Sequence, residues 1–202
     1  MIQAKSRSAN IVQLPPPEQK GRISVEEALA RRRSVREFTR EALSERELSQ
    51  LLWAAQGITH PDGLRTAPSA GALYPLEIYV ATTSGFYHYE PKGHRLVQLS
   101  DRDLRAAVRR AALEQEAITQ APAVFVIAAV YERTSRKYGP ARTPRYVHME
   151  AGHSAENLLL EAAALGLGGV PIGAFDDDAL HGALALQGDC RPLYLIPVGH
   201  PR

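Results

Sequence analysis

The sequence predicts an α+β fold in which helices flank a mixed β-sheet. Residues 123–130 form an uninterrupted apolar run, which is typical of a central strand covered on both faces. Two strand-like segments, residues 86–89 and 96–99, flank the Pro-Lys-Gly sequence of residues 91–93, as the arms of a hairpin do. Because helical patterns alternate with these strands while a hairpin is antiparallel, a purely parallel sheet is not expected.

Composition limits the class of protein. The chain has 202 residues, of which 45% are hydrophobic and 23% charged, and these values predict one well-filled globular domain. The formal net charge of +2 favours neither a nucleic-acid partner nor a membrane partner. The single cysteine, Cys190, excludes an internal disulfide and a zinc site of the paired-cysteine kind, so no metal is predicted. No stretch reaches the roughly 20 apolar residues of a membrane span. No signal peptide is recognisable either, and a cytoplasmic location is therefore predicted.

The N-terminal part is predicted to be an extended arm over residues 1–22, followed by a single domain over residues 23–202. Three consecutive prolines, residues 15–17, favour the extended backbone of the arm.

Two capping boxes predict the first two helices of this domain. Ser24 with Glu27, and Ser44 with Glu47, have the spacing at which a hydroxyl and a carboxylate satisfy free amides at a helix start. The second helix is expected to end at Gly57, in the left-handed turn that glycine favours.

Residues 67–80 form a loop that leads into a strand. Leu76, Ile78 and Val80 alternate with other residues, which predicts a half-buried strand. The preceding residues 69–72 carry almost no side chain, so a flat ligand could lie against their backbone. The alternative is an ordinary tight connection.

Beyond the hairpin, Ser100 is predicted to cap a helix with Leu104 and Val108 on its buried face. Four arginines are placed on the solvated sides of this helix: Arg102, Arg105, Arg109 and Arg110. After the apolar strand, a polar, basic loop is expected, which holds Arg133, Arg136, Lys137, Tyr138, Arg142, Arg145 and Tyr146.

The C-terminal third is predicted to begin with a buried helix over about residues 146–165, which the glycines at 166, 168 and 169 end. Asp176 is then expected to cap one short helix, and residues 193–198 supply a last strand.

The sequence motifs for dinucleotide binding, for a histidine metal site on a helix and for a P-loop are incomplete or absent. Residues 166–171 carry proline where a dinucleotide-binding fingerprint needs its last glycine. His148 and His153 are five residues apart, which does not align two metal ligands on one helix face. A phosphate-binding P-loop is absent from the sequence.

The segment of residues 31–38 gathers arginines around a serine at a predicted helix end. Arginine side chains bind phosphate in a bidentate manner and a serine hydroxyl adds a donor, so the segment suits a phosphate monoester. The alternative is a solvated helix end whose cations compensate the helix dipole.

Together with residues 68–75 and 169–176, this arginine segment makes an ordered set. The chain resembles the flavin-dependent nitroreductase superfamily, and within it the SagB-type dehydrogenases, the group that includes the azoline oxidases. The resemblance runs from about Ser24 to Gly199. Further matches are residues 86–89 with His94, 136–139, 151–153 with Asn157, and 193–195 leading to 198–199.

The resemblance implies an FMN site at a homodimer interface. The residues that match the family segment for the phosphate and ribityl chain are Arg32, Arg33, Ser34 and Arg36. The matches to the loop that contacts flavin from the partner subunit are Pro68, Ser69, Ala70 and Gly71. The matches to the loop against the isoalloxazine ring are Pro171, Ile172 and Gly173, with the Gly173 amide donating to flavin N5.

The resemblance also implies an activity. Lys137 and Tyr138 match a Lys-Tyr pair that serves as the base in azoline oxidases, and the alternative for them is a solvated basic loop. We expect an FMN-dependent oxidoreductase with ping-pong hydride transfer, acting as a SagB-type dehydrogenase on a small heterocycle or peptide azoline. The alternatives are an NAD(P)H-dependent nitro or quinone reductase and a non-catalytic flavin-binding protein.

Overall fold

A computed structural model describes residues 10–202 of the chain. The strands are β1 (Ile11–Gln13), β2 (Leu76–Thr82), β3 (Gly85–Glu90), β4 (Arg95–Ser100), β5 (Ala123–Val130), β6 (Gly168–Gly169) and β7 (Cys190–Gly199). The helices are α1 (Val25–Arg31), α2 (Glu45–Gln56), α3 (Arg105–Ala111), α4 (Ala117–Gln120), α5 (Tyr131–Tyr138), α6 (Thr143–Ala164) and α7 (Asp177–Leu184).

The strands form one sheet in the order β1-β4-β3-β2-β5-β7-β6. The predicted α+β class is confirmed, and the hairpin forms as expected from β3 and β4. Between the named strands of the described residues, every ladder is antiparallel. Parallel pairing in the same part of the chain is confined to an isolated bridge between Ser34 and Gly169.

Strand β5 lies in the interior of the sheet, between β2 and β7, and separates two hydrophobic cores. Phe125 and Ile127 point into a core shared with α2 and α6. Val124 and Val126 point into a second core on the opposite face, where α3, α4 and α7 pack. Successive side chains of a strand alternate between faces, so burial on both faces explains the continuous apolar run. The prediction of a central strand is confirmed, whereas β2, predicted as half-buried, is also buried on both faces.

The described part of the N-terminal arm is attached to the sheet. Strand β1 pairs with β4, and Leu14 is buried in the first core. The Ser49 hydroxyl donates to the carbonyl of Pro15 (2.6 Å) and lies 2.7 Å from His94 Nε2. Burial lowers the pKa of His94, which favours the neutral ring in this contact. Residues 1–9 of the predicted arm lie outside the described residues.

Helix α2 begins with the predicted capping box, but its end differs from the prediction. The Ser44 hydroxyl and the Glu47 carboxylate exchange hydrogen bonds with each other's amides. Gly57 is extended rather than left-handed, with φ −64° and ψ 150°. Glycine is needed there for another reason: a Cβ on Gly57 would lie 2.1 Å from Cδ1 of Trp53.

Three predictions are wrong here: the helix cap at Ser100, the solvated position of Arg105 and the basic loop after β5. Ser100 belongs to β4 and caps no helix, and α3 begins at Arg105, which is only 9% exposed. Its guanidinium is retained in the interior because it pairs with Asp103 (2.7 Å) and donates to the Ala121 carbonyl (2.7 Å). The basic loop after β5 is helix α5, in which an Arg136–Glu132 ion pair spans one turn.

The last elements follow the prediction more closely. Helix α6 begins at Thr143, with proline in its first turn, and Asp176 caps α7 by accepting from the Ala179 amide (2.8 Å). Within residues 10–202, none of the helices combines the length and apolar character needed to cross a membrane.

Candidate active site

The arginine segment follows α1, and the surroundings of its guanidinium groups differ from one residue to the next. Arg33 donates to the carbonyls of Ala30 (3.0 Å) and Arg32 (2.7 Å), so its guanidinium folds back over the helix end. Arg32 lies 3.7 Å from the carboxylate of Glu156 on α6. Arg36 is exposed and forms neither a hydrogen bond nor an ion pair with any residue that the structure describes. Of these cations, Arg36 has the guanidinium most available to an anion.

The arginine segment is held against the glycine segment that follows α6. The Val35 amide donates to the carbonyl of Gly169 (3.0 Å), next to the Ser34–Gly169 bridge. A Cβ on Gly168 would lie 2.6 Å from Cβ of Val35, so only glycine permits this approach. The contact therefore places Ser34 beside Gly169, at the start of the loop that contains Pro171.

The C-terminus closes one side of this region. The Arg202 amide donates to the Glu37 carbonyl (3.3 Å), and Pro201 bridges to Phe38. A cavity of about 310 Å³ lies beside these contacts. Its lining includes Arg31, Arg32, Arg33, Val35, Gly169 and Pro201. The structure thus brings the C-terminal residues to the arginines.

The loop of residues 171–173 presents a free backbone donor. Ile172 is buried and exchanges both backbone hydrogen bonds with Leu195 of β7 (2.8 and 3.0 Å). This pairing fixes the next residue, Gly173, which is exposed and whose amide donates to no acceptor among the described residues. A Cβ on Gly173 would meet only Tyr194, at 3.9 Å, so a flat ligand can approach the backbone here.

The loop of residues 68–74 has an unusual backbone. Gly71, Ala72 and Tyr74 have positive φ values of 65°, 53° and 46°. Such strain persists where surrounding contacts over-determine it, and it is frequent at functional sites. Here the Ser69 hydroxyl accepts from the Tyr74 amide (2.9 Å), and Arg133 of α5 donates to the Tyr74 carbonyl (3.0 Å).

Lys137 and Tyr138 lie directly against this loop. A Cβ on Gly71 would be 2.8 Å from Lys137 Nζ and 2.9 Å from the Tyr138 hydroxyl. Lys137 forms no ion pair within residues 10–202, and the Tyr138 ring packs at 4.8 Å on that of Tyr146. The helix that replaces the predicted basic loop therefore delivers both side chains to the small residues that precede β2.

Glu150 of α6 was not predicted as a site residue. It is 3% exposed, and burial raises its pKa to about 7, although the Ser69 hydroxyl and the Arg65 guanidinium favour its ionised form. Glu150, Ser154 and Asn157 follow helical spacing, and the latter two donate to carbonyls at the end of α2 and in the following loop. This spacing of polar residues on one face of a helix predicted to be buried is the sequence signal that could have identified Glu150.

The predicted site residues fall into two groups on different faces of α6. The arginine cluster comprises residues 32–36 and 171–173, and the loop cluster comprises residues 68–71 with Lys137 and Tyr138. Glu156 of α6 contacts the first, whereas Asn157 bonds to the segment that carries the second. Among the described residues, no hydrogen bond or ion pair joins one cluster to the other.

The family model for nitroreductases matches residues 29–200, which include both clusters. The chain belongs to the nitroreductase family. This family consists of oxidoreductases whose members generally bind FMN and are typically homodimers.

Individual relatives agree with this membership. A Methanocaldococcus jannaschii protein named as a nitroreductase is 47% identical over 194 residues, which cover 93% of this chain and 95% of that protein. The crystal structure of a Ralstonia eutropha protein named as a nitroreductase has a TM-score of 0.87 at 31% identity and covers 95% of this chain and 90% of its own. A chain of the Escherichia coli microcin synthetase McbBCD complex has a TM-score of 0.72 at 24% identity, over 82% of this chain and 67% of its own, and shows the fold alone.

The donor set of this nitroreductase-family chain fits a flavin mononucleotide. The unpaired Arg36 guanidinium and the Ser34 hydroxyl suit a phosphate, since charge-assisted hydrogen bonds to phosphate are the strong ones. The open backbone at Gly173 suits a flat ring that needs a fixed donor.

Proposed function

We propose that this chain is an FMN-dependent oxidoreductase. The observation that carries the proposal is the backbone contact between Val35 and Gly169, because it joins phosphate-type donors to the loop with the free Gly173 amide. When bound, FMN would supply a ring that accepts a hydride from one substrate and returns it to another. Arg32, Arg33, Ser34 and Arg36 are assigned to the phosphate and ribityl chain, and residues 171–173 to the ring.

We further assign the loop cluster to the flavin of a partner subunit in a homodimer. The two clusters lie on different faces of α6, and the lining of the cavity beside the arginines, about 310 Å³, includes no residue of the loop cluster. Both facts favour a site completed by a second copy of the chain. In that dimer the flavin would be contacted by Pro68, Ser69, Ala70 and Gly71. The cytoplasmic location of the protein stays a prediction.

The contact of Lys137 and Tyr138 with Gly71 supports a role for this pair in proton transfer. Lys137 Nζ and the Tyr138 hydroxyl lie side by side at Gly71, so a ligand on this loop would be within reach of both groups. This arrangement favours a SagB-type dehydrogenase of a small heterocycle or peptide azoline. The 47% identity to a nitroreductase-named protein equally supports an NAD(P)H-dependent nitro or quinone reductase.

The visible spectrum tests the cofactor and the phosphate assignment together. The purified protein titrated with FMN should develop a structured flavin band. Arg36→Ala should weaken FMN binding roughly 10- to 100-fold, because a hydrogen bond to a charged group contributes about 1.5–3 kcal/mol.

Arg110→Ala is the matched control, since Arg110 is also exposed and also lacks an ion pair within residues 10–202. We expect this variant to bind FMN like the wild type. A colourless protein that ignores added FMN would contradict the proposed function, and equal weakening by both variants would contradict the assignment of Arg36.

Anaerobic mixing with NADPH distinguishes the two activities. A reductase should lose its flavin absorbance promptly, because the nicotinamide delivers hydride directly to the ring. A dehydrogenase should keep its absorbance with NADPH and lose it with an azoline-containing peptide. Bleaching by NADPH alone would reject the SagB-type assignment, and bleaching by neither would favour the non-catalytic flavin-binding alternative.

A further inference from the structure

Glu150 is a buried carboxyl to which the proposed function assigns no role. It is 3% exposed, and its Oε1 has no hydrogen-bond donor within the described residues. A carboxylate in such a place is costly, because burial removes its hydration and the structure replaces only part of it. Burial accordingly raises the pKa of Glu150 to about 7, so both protonation states are accessible near neutrality.

The groups that act on Glu150 come from the loop above it. They are the Ser69 hydroxyl and the Arg65 guanidinium, and both favour the ionised carboxylate. Arg65 itself donates to Gln56 of α2 (2.8 Å) and lies 4.5 Å above the Tyr74 ring. The other charged groups that act on Arg65 are Glu77 of β2 and Arg133 of α5. On α6, the ionisable residues about one turn from Glu150 are Tyr146 and His153.

Ser69 connects this carboxyl to the strained part of the loop. Its Oγ accepts from the Tyr74 amide (2.9 Å), so its own hydrogen is available to the Glu150 carboxylate. Gly71, two residues later, is exposed and carries Lys137 and Tyr138 against it. A change in the charge of Glu150 therefore acts on the same loop that meets the ligand.

We propose that Glu150 is a positioning residue that couples ligand binding on the loop of residues 68–71 to the uptake of one proton. This inference rests on the proposed function, in which a flavin lies against that loop. A ligand there excludes water from above the carboxyl, and the loss of hydration favours the neutral acid. The proton passes from solvent to a carboxylate oxygen of Glu150, and no other bond changes. Because linkage is reciprocal, raising the pH must weaken binding.

Calorimetric titration with FMN measures this coupling directly. The observed binding enthalpy, compared in buffers of different ionisation enthalpy, gives the number of protons taken up. At pH 8 the wild type should take up close to one proton more than Glu150→Gln, whose amide cannot titrate. Between pH 7.5 and 8.5, the FMN affinity of the wild type should fall up to about tenfold more than the FMN affinity of Glu150→Gln. The proton equilibrium of the FMN phosphate cancels in this difference.

Glu161→Gln is the matched control. Glu161 lies on the same helix, and burial also raises its pKa, but the groups that act on it are Gln50 and Glu18, away from the loop. This variant should keep the proton uptake of the wild type. Equal uptake by the wild type and Glu150→Gln would overturn the inference while leaving FMN binding intact. Loss of uptake in Glu161→Gln would overturn it too, and a protein that binds no flavin would overturn both proposals.

Riboflavin provides a second measurement that needs no variant. Riboflavin lacks the phosphate. A proton that is taken up when riboflavin binds to the wild type at pH 8 must therefore be bound by the protein. Persistent uptake with riboflavin supports Glu150 as the acceptor even if Glu150→Gln does not fold. Uptake that is present with FMN and absent with riboflavin would assign the proton to the phosphate and overturn the inference.

Discussion

Replacing Gly71 with alanine is expected to slow flavin reduction about 100-fold. The new Cβ would lie 2.8 Å from Lys137 Nζ and 2.9 Å from the Tyr138 hydroxyl, so both groups must move. Displacement of about 1 Å from a reactive geometry costs about that factor. The measurement is the anaerobic rate of flavin reduction by the donor that bleaches the wild type, NADPH or an azoline peptide.

Gly188→Ala separates this displacement from backbone strain. Gly188 has a φ of 60°, close to the 65° of Gly71, but a Cβ there meets nothing within 4 Å. Both variants should lose a similar stability, about 1 kcal/mol, because alanine disfavours a positive φ. Only Gly71→Ala should lose rate. Equal rates in the two variants would show that Lys137 and Tyr138 do not depend on this contact.

Lys137→Ala and Tyr138→Phe are each expected to slow the reaction by about 10²–10⁴-fold if the pair transfers a proton. The flavin spectrum and the melting temperature should be unchanged, because Lys137 is exposed and forms no ion pair in the described part of the chain. The rate of anaerobic flavin reduction by the azoline peptide and its pH profile are the measurements, since a group that transfers a proton alters the profile when it is removed.

Arg136→Ala is the control for this pair. Arg136 precedes Lys137 on α5 and is exposed, and among residues 10–202 its one ion pair is with Glu132 one turn away, so its loss should leave the rate unchanged. If Lys137→Ala behaves like Arg136→Ala, the basic residues of α5 form a solvated surface. The reductase or non-catalytic alternative would then replace the dehydrogenase.

The sequence was sufficient for those elements whose pattern is local. The apolar run of residues 123–130 predicted a strand with two buried faces, because a side chain alternates faces whatever element covers it. The capping box at Ser44 predicted a helix start, because its hydrogen bonds close within one turn. The ordered motifs predicted the nitroreductase family, which the family model matches over residues 29–200.

Two of the errors involve contacts between residues that are distant in the sequence. Arg105 was placed in solvent, but its guanidinium donates to the Ala121 carbonyl, which lies 16 residues further along the chain, and pairs with the nearby Asp103. The charged segment after β5 was predicted as a loop because of its polar, basic composition, but it forms helix α5. Residues that contact the segment, among them Tyr74 and Glu77, lie far away in the sequence. The spacing of residues along the chain does not show which distant residues will contact a segment.

The site shows the same difference between what local sequence predicts and what long-range contacts decide. Residue types alone were enough to select arginine and serine donors for phosphate and glycines for close approach, because those properties belong to the side chains themselves. Tertiary structure decided that Lys137 and Tyr138 lie against Gly71, that Ser34 lies beside Gly169, and that Glu150 is buried under the loop. These arrangements depend on how α5 and α6 pack against the sheet, and packing is determined by the whole core rather than by any one segment.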